Sequence, residues 1–148
     1  MGNSKDAEIK SYYDAISDLE TQRSSYREDY AILVDEENEI VKIISICDKI
    51  ELSSNGFSLH LDKIENISQN GNATIPGMDD IINFEIINED VQRVLKANND
   101  YIENLKKICS KIDILKTEIA NKINSINSQI IQYQAKIYNA QNAYVTYY

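Results

Sequence analysis

Apolar residues recur with a seven-residue period along the first third of the chain. Alternate steps of three and four residues lead through Ile9, Tyr12, Ile16, Leu19, Arg23, Tyr26, Tyr30, Leu33, Glu37, Ile40, Ile44 and Cys47. This spacing places all of these residues on one face of a helix. No Gly or Pro lies between Gly2 and Gly56. The pattern therefore predicts one helix over residues 5–52, roughly 70 Å long at about 1.5 Å per residue.

A second run with the same period predicts a longer helix over residues 84–147. Its members are Phe84, Ile87, Val91, Val94, Asn98, Tyr101, Leu105, Ile108, Ile112, Leu115, Ile119, Ile123, Ile126, Ile130, Tyr133, Ile137, Ala140, Tyr144 and Tyr147. Two successive four-residue steps, from Leu115 to Ile119 and then to Ile123, form a stutter. A stutter unwinds a left-handed supercoil locally.

Residues 53–83 separate the two runs and contain residues that are typical of turns. These are the segment Ser53-Ser54-Asn55-Gly56 and, later, Asn70-Gly71-Asn72 with Pro76-Gly77. Between them, residues 57–67 favour a short helix, with a strand-like alternation over 57–61 as the alternative. The carboxylates of Asp79 and Asp80 suit a helix N-terminus, so a start of the second helix at 79 instead of 84 is the alternative. We therefore expect one all-α domain over residues 1–148, an antiparallel two-helix coiled-coil hairpin with a short helical or irregular turn segment.

Charge is distributed unevenly between the two predicted helices. The net charge is −9, yet residues 91–148 contain eight Lys and Arg against four Asp and Glu. Residues 1–52 contain thirteen Asp and Glu against six Lys and Arg. Opposite charge beside matching apolar seams favours pairing of the two helices within one chain.

Two polar residues interrupt the first seam, and we expect Arg23 and Glu37 to fix the register of the hairpin. A reversal over residues 53–83 pairs Glu37 with Lys96 and places Arg23 near Cys109 and Asp113. The alternative is that both side chains extend into solvent from a narrow interface.

The same alignment leaves the second helix without a partner beyond about residue 123. We expect its apolar side to bind another chain through Ile126, Ile130, Tyr133, Ile137, Tyr144 and Tyr147. A long apolar stripe is rarely left in water, and tyrosine suits the wet edge of an interface. A larger shift of the first helix along the second would cover this overhang instead.

The residues of catalytic and cofactor chemistry do not form a recognisable set. His60 has no partners at zinc-ligand spacing, and Cys47 and Cys109 are too few for a disulfide framework. We expect no enzyme activity, cofactor or metal. The acidic composition argues against nucleic-acid binding. No apolar stretch approaches the roughly 20 residues that cross a bilayer, so we expect no membrane insertion.

The architecture resembles a family of small helical proteins. A chain of about this length with two long helices, rich in Ile, Asn and Lys and with Asn55-Gly56-Phe57 near the turn, is similar to α-helical proteins of Gram-positive type VII secretion, above all those that partner LXG toxins. The secreted hairpins of that system carry Trp-X-Gly and a Tyr-X-X-X-Asp or Glu tail. This chain has no Trp, and Tyr133, Tyr138 and Tyr144 are followed four residues later by Ile137, Asn142 and Tyr148.

This resemblance implies a non-catalytic targeting or chaperone subunit that binds the helical N-terminal domain of an LXG toxin. It implies a cytoplasmic protein, or one secreted together with its partner. The competing hypothesis is a homodimeric coiled-coil adaptor, a phage or mobile-element protein whose seams pair with a second copy in a four-helix bundle.

Overall fold

Two long helices account for the described chain. The computed structural model describes residues 2–71 and 83–145, and the side chains of residues 4–71 and 83–143. Helix α1 is Gly2–Asn70 and helix α2 is Phe84–Val145. No strand is present in these residues, and the helices pack against each other. The predicted all-α, antiparallel two-helix hairpin is confirmed.

Helix α1 is longer than the sequence predicted. It continues through residues 53–70, which were assigned to the turn, so the predicted end near residue 52 was wrong. A Gly inside a helix costs only about 1 kcal/mol and a Ser less, which does not stop a helix that buries Leu61 further along. The predicted turn at Pro76-Gly77 and the earlier helix start at Asp79 and Asp80 lie outside the described residues.

Both inner helix ends are closed by local hydrogen bonds. At the end of α1, the backbone N–H of Gly71 donates to the carbonyl of Ile67 at 2.8 Å. A Cβ at position 71 would collide with that carbonyl oxygen, so glycine permits the close approach. At the start of α2, Oδ1 of Asn83 accepts from the backbone N–H of Ile86 at 3.1 Å, which is an N-cap.

The first compact unit comprises residues 1–36 and 111–148. Its buried core consists of Ile16, Leu19, Ile126, Ile130 and Ile137, with Ile9, Tyr12, Tyr26 and Tyr133 packed against it. The ring centroids of Tyr12 and Tyr133 lie 5.9 Å apart. Further along α1, Nη1 of Arg23 donates to Oδ1 of Asn127 at 2.8 Å. Partner numbers fall as α1 advances, so the helices run antiparallel.

The second compact unit comprises residues 37–110. Its buried residues are Cys47, Leu61, Phe84, Val91, Asn98, Ile102 and Leu105. Nδ2 of Asn98 donates to the carbonyl oxygen of Cys47 at 2.8 Å. This bond joins the two helices and gives their alignment within the unit.

The predicted register was wrong. Arg23 binds Asn127, which lies 14 residues beyond Asp113, its nearest predicted neighbour on the second helix. Lys96 lines the same depression as Glu51 and Asn55, so it lies beside that part of α1 and not beside Glu37. The reason is the length of α1: because the reversal comes after Asn70, each residue of α1 meets a later part of α2.

Candidate protein-binding surface

The inner seam of the second unit follows a heptad, and we assign positions a and d to the residues that face the other helix. On α1 these are Ile40, Ile44, Cys47, Glu51, Ser54, Ser58, Leu61, Glu65 and Ser68. On α2 they are Phe84, Asn88, Val91, Leu95, Asn98, Ile102, Leu105 and Cys109. Every one of these residues is buried or half-buried. The two sets define which sides of the helices remain open.

The contribution of α1 to this seam is polar in its second half. From Glu51 onward, Leu61 is the single apolar residue among the a and d positions of α1. Polar side chains at such positions contribute little hydrophobic free energy, which is roughly 25 cal/mol per Å² of apolar surface. The apolar residues of this stretch of α1 lie elsewhere.

An apolar face lies beside the seam, at heptad position g. It is formed by Ile43, Ile50, Phe57 and Ile64 of α1 and by Val94, Tyr101 and Ile108 of α2. These side chains are between 36% and 50% exposed. Because the helices run antiparallel, the g rows of both helices lie on the same side of the seam and border one groove. We call these seven residues the outer apolar face.

The opposite side of the same unit is polar. Position e places Asn55 of α1 beside Gln92 and Asn99 of α2, and these three residues line one depression. Asp48 and Asp62 occupy the same row of α1 and are exposed. The e side of the seam is therefore mainly polar and the g side is apolar, and a contiguous exposed apolar row is typical of an interaction site.

Lysines occupy the row of α1 that faces away from the seam. The three basic residues of 37–70 are Lys42, Lys49 and Lys63, and all three occupy heptad position f. Each is exposed. Nζ of Lys42 also forms an ion pair with Oε1 of Glu39, one turn away, at 2.9 Å. These lysines therefore lie on the outward side of α1, equally far from the e row and the g row.

The binding surface that the sequence predicted is not on an overhang. Ile126, Ile130 and Ile137 are buried against the first part of α1, and Tyr133 is partly buried beside Tyr12. The prediction of an uncovered stripe was wrong because it rested on the shorter α1. The side chain of Tyr144 and all of Tyr147 lie outside the described residues.

Tyrosines of α1 meet lysines of α2 along the first unit. Nζ of Lys122 lies 5.5 Å from the ring centroid of Tyr26. Nζ of Lys136 lies 5.8 Å from that of Tyr12 and 5.0 Å from that of Tyr133. Such cation–π contacts are worth about 0.5–1 kcal/mol at exposed sites. These contacts place lysines of the basic second helix over tyrosine rings at the edge of this unit's core.

One phenol in this cluster is perturbed. The hydroxyl of Tyr12 donates to Oε1 of Glu8 at 2.7 Å. This hydrogen bond stabilises the neutral phenol and raises the pKa of Tyr12 above its ordinary value. The bond is exposed and joins two residues one turn apart on α1.

Of the two predicted register residues, Arg23 makes a contact between the helices, to Asn127. Glu37 is half-buried in the seam, and its predicted pairing with Lys96 is not formed. Asn98 was not among the predicted register residues, yet its side chain is buried and bonded across the seam. A single buried Asn between apolar residues is a known device for fixing register, and the place of Asn98 in the second run was a signal for it.

The described residues contain no cluster of three or more potential metal ligands. His60 is exposed on α1, and the thiols of Cys47 and Cys109 are free. Within the same part of the chain, no helix is apolar enough over a sufficient length to cross a membrane.

Comparison with protein-family models, curated proteins and solved structures found no match. The relationship to LXG-toxin partners therefore stays a prediction from sequence resemblance. The outer apolar face is the structural feature on which a function can be argued.

Proposed function

We propose that this chain is a non-catalytic helical subunit that binds another helical protein and completes a helical bundle with it. The outer apolar face of residues 37–110 carries this proposal. Seven large apolar side chains at heptad spacing are more than scattered exposure accounts for, since single exposed apolar residues are normal whereas contiguous patches mark interaction sites.

The amount of exposed surface supports the same conclusion. The chain exposes 10,974 Å². A compact monomer of 16.9 kDa exposes about 7,700 Å². Within the described residues no large side chain is fully buried. Helices that are covered on one side only are expected to bind further helices, because the second side retains hydrophobic free energy that association can release.

The resemblance to partners of LXG toxins gives the proposal its finer form. On that basis the bound protein is a type VII secreted toxin, and the contact is to its helical N-terminal domain. The chain then acts as a targeting or chaperone subunit, in the cytoplasm or secreted with the toxin. The exposed helical face supports the general part of this proposal, and the toxin is named by the sequence resemblance alone.

Purification from the native host tests the proposal. The chain, tagged at its N-terminus, is expected to recover a larger protein with a helical N-terminal domain. The two proteins, purified separately and mixed, are then expected to form a complex of fixed stoichiometry by light scattering. The isolated chain should gain thermal stability in that complex, because a partner that binds only the folded state stabilises it. Absence of any such partner would contradict the proposal.

A second copy of the chain is the competing partner. Both helices contribute to the outer apolar face, so two copies can bring their faces together around a two-fold axis and form a four-helix bundle. A homodimeric adaptor predicts twice the monomer mass for the pure protein at micromolar concentration. The heterologous proposal predicts a monomer that changes mass only when the partner is added.

A further inference from the structure

We infer that α1 of the second unit lies on the surface of anionic lipid membranes, without crossing them, through the side that faces away from α2. We call this side, heptad positions b, c and f of residues 42–67, the outward surface. The inference goes beyond the proposed function and uses a different set of residues, because the outer apolar face lies at position g.

The outward surface combines exposed apolar residues with lysines. Its large apolar residues are between 56% and 72% exposed, and they are Ile46, Leu52, Leu59 and Ile67. Its basic residues are Lys42, Lys49 and Lys63. Nζ of Lys42 already pairs with Glu39, so the argument uses the other two lysines.

These lysines lie between apolar neighbours. Lys49 is one helical turn from both Ile46 and Leu52, and the surroundings of Lys63 are of the same kind. A lysine in such a position can extend its ammonium group to a lipid headgroup while its neighbours enter the apolar layer.

No carboxylate belongs to the outward surface, although the chain is acidic. All four carboxylates of residues 42–67 occupy positions a and e, and they are Asp48, Glu51, Asp62 and Glu65. The b, c and f positions of α2 over residues 86–110 have a different composition, since they include four carboxylates and Ile86 is their one large apolar residue. Between these two stretches, only that of α1 therefore combines lysines and apolar residues without carboxylates.

An anionic lipid surface matches both properties. Its headgroups supply negative charge, its acyl layer receives apolar side chains, and amphipathic helices with lysines bind in this plane. The outward surface extends over about 38 Å at about 1.5 Å per residue, so it can lie along a membrane as one helix. Because the net charge of the chain is −9, its acidic sides are repelled from the same surface, which favours one orientation.

A second copy of the chain does not offer the same match. Two outward surfaces packed against each other would bring their lysine rows together. The carboxylates at the b, c and f positions of α1 in the first unit, such as Asp14 and Glu28, lie among serines and a threonine. Docking there would leave Leu52 and Leu59 without apolar contacts. Charge and apolar surface together therefore favour a lipid surface.

Sedimentation of the full chain with lipid vesicles, in the absence of any protein partner, tests the inference. One set of vesicles contains phosphatidylcholine alone, and the other contains equal amounts of phosphatidylcholine and phosphatidylglycerol. We expect at least about tenfold tighter binding to the anionic vesicles, because lysines near the surface are attracted to acidic headgroups. The difference should shrink as salt rises, because salt screens exposed charges.

Two double variants with the same change of net charge locate the site. Lys49→Glu with Lys63→Glu should weaken binding to the anionic vesicles at least about tenfold, because it places carboxylates against the headgroups. Lys96→Glu with Lys107→Glu is the matched control, because both lysines are exposed on α2, away from the outward surface. It should bind nearly as the unmodified chain does.

An introduced Trp reports directly on the contact, because the chain contains no Trp of its own. The emission of Leu59→Trp should shift to shorter wavelength with anionic vesicles, since the indole enters the apolar layer. Ile86→Trp, at an exposed position of α2, should show no such shift.

Circular dichroism checks that each variant retains the hairpin, which is expected since every substituted side chain is exposed. Equal affinity for the two kinds of vesicle, or no binding to either, would overturn the inference. Equal weakening by the two double variants, or equal emission shifts of the two Trp variants, would do the same. If Lys49→Glu with Lys63→Glu lost a protein partner from the host while the unmodified chain ignored vesicles, the outward surface would be a protein interface and the inference would be wrong.

The inference and the proposed function fail separately. Phe57→Asp changes the outer apolar face, so it should lose the helical partner and still bind vesicles. Lys49→Glu with Lys63→Glu should do the reverse. A chain that binds anionic vesicles but recovers no partner from its host would support the inference and contradict the proposed function.

Discussion

At the scale of single residues, polar side chains fix how the two helices align. Arg23 reaches Asn127 on α2, and Asn98 reaches the carbonyl of Cys47 on α1. A shift by one heptad would break either bond and bury its polar groups without partners, at a cost of about 1–3 kcal/mol each. The seam therefore favours one register through a few polar contacts, whereas apolar contacts alone would tolerate several.

A double-mutant cycle on Arg23→Ala and Asn127→Ala tests the observed register. We expect a coupling free energy of about 1 kcal/mol, because the part-buried bond between them is 2.8 Å long and one partner is charged. The matched control is a cycle on Glu37→Ala and Lys96→Ala, the pair that the sequence predicted. Its coupling should be near zero by urea denaturation. The opposite result in the two cycles would restore the predicted register.

At the scale of the helices, Gly56 within α1 and Gly71 just after its end have opposite roles. A methyl group added at Gly56 would meet no atom within 4 Å, whereas one at Gly71 would collide with the carbonyl of Ile67. Gly56→Ala should therefore raise the free energy of unfolding by about 0.5–1 kcal/mol, through helix propensity. Gly71→Ala should lower stability and fray the end of α1. Thermal melting compares the two variants directly, and a destabilising Gly56→Ala would show that the helix does not continue through residue 56.

The first helix was predictable from sequence wherever its apolar seam was regular. The seam counted from Ile9 to Cys47 is the inner seam that the structure shows. The end of α1 was not predictable, because local turn residues such as Gly56 are outweighed by packing further along. Tertiary contacts routinely override propensities of this size.

The outer apolar face was hidden within the second run. That run counted Val94, Tyr101 and Ile108 together with seam residues, so it joined an inner row to an outer one. The predicted stutter at Leu115 arose where the counted run passed from the outer row back to the seam. The structure has no stutter there: the seam passes through Ile112, Lys116, Ile119 and Ile123, and Leu115 is exposed. Lys116 was not expected at a seam position, but its aliphatic stem packs there while Nζ lies 6.0 Å from the ring centroid of Tyr30.

At the scale of the whole molecule, the two compact units differ in what holds each together. The first unit has an apolar core around Ile16, Ile126 and Ile130, with cation–π contacts at its flank. The second unit carries an additional apolar row outside its seam, and polar residues such as Glu51 and Ser58 fill much of the α1 side of the seam. Stability within the chain should therefore be uneven, because local opening follows the buried apolar contacts of each region.

Amide hydrogen exchange measures this difference. Amides of residues 51–70 should exchange at least about tenfold faster than those of residues 12–26, since both lie in α1 but the former bury fewer apolar side chains. Ser54→Leu, which adds an apolar side chain to the inner seam, should slow exchange in 51–70. Ser53→Leu, one position away and outside the seam, should leave it nearly unchanged. Uniform exchange along α1, or equal effects of the two variants, would mean that the polar residues of the seam do not limit the stability of this region.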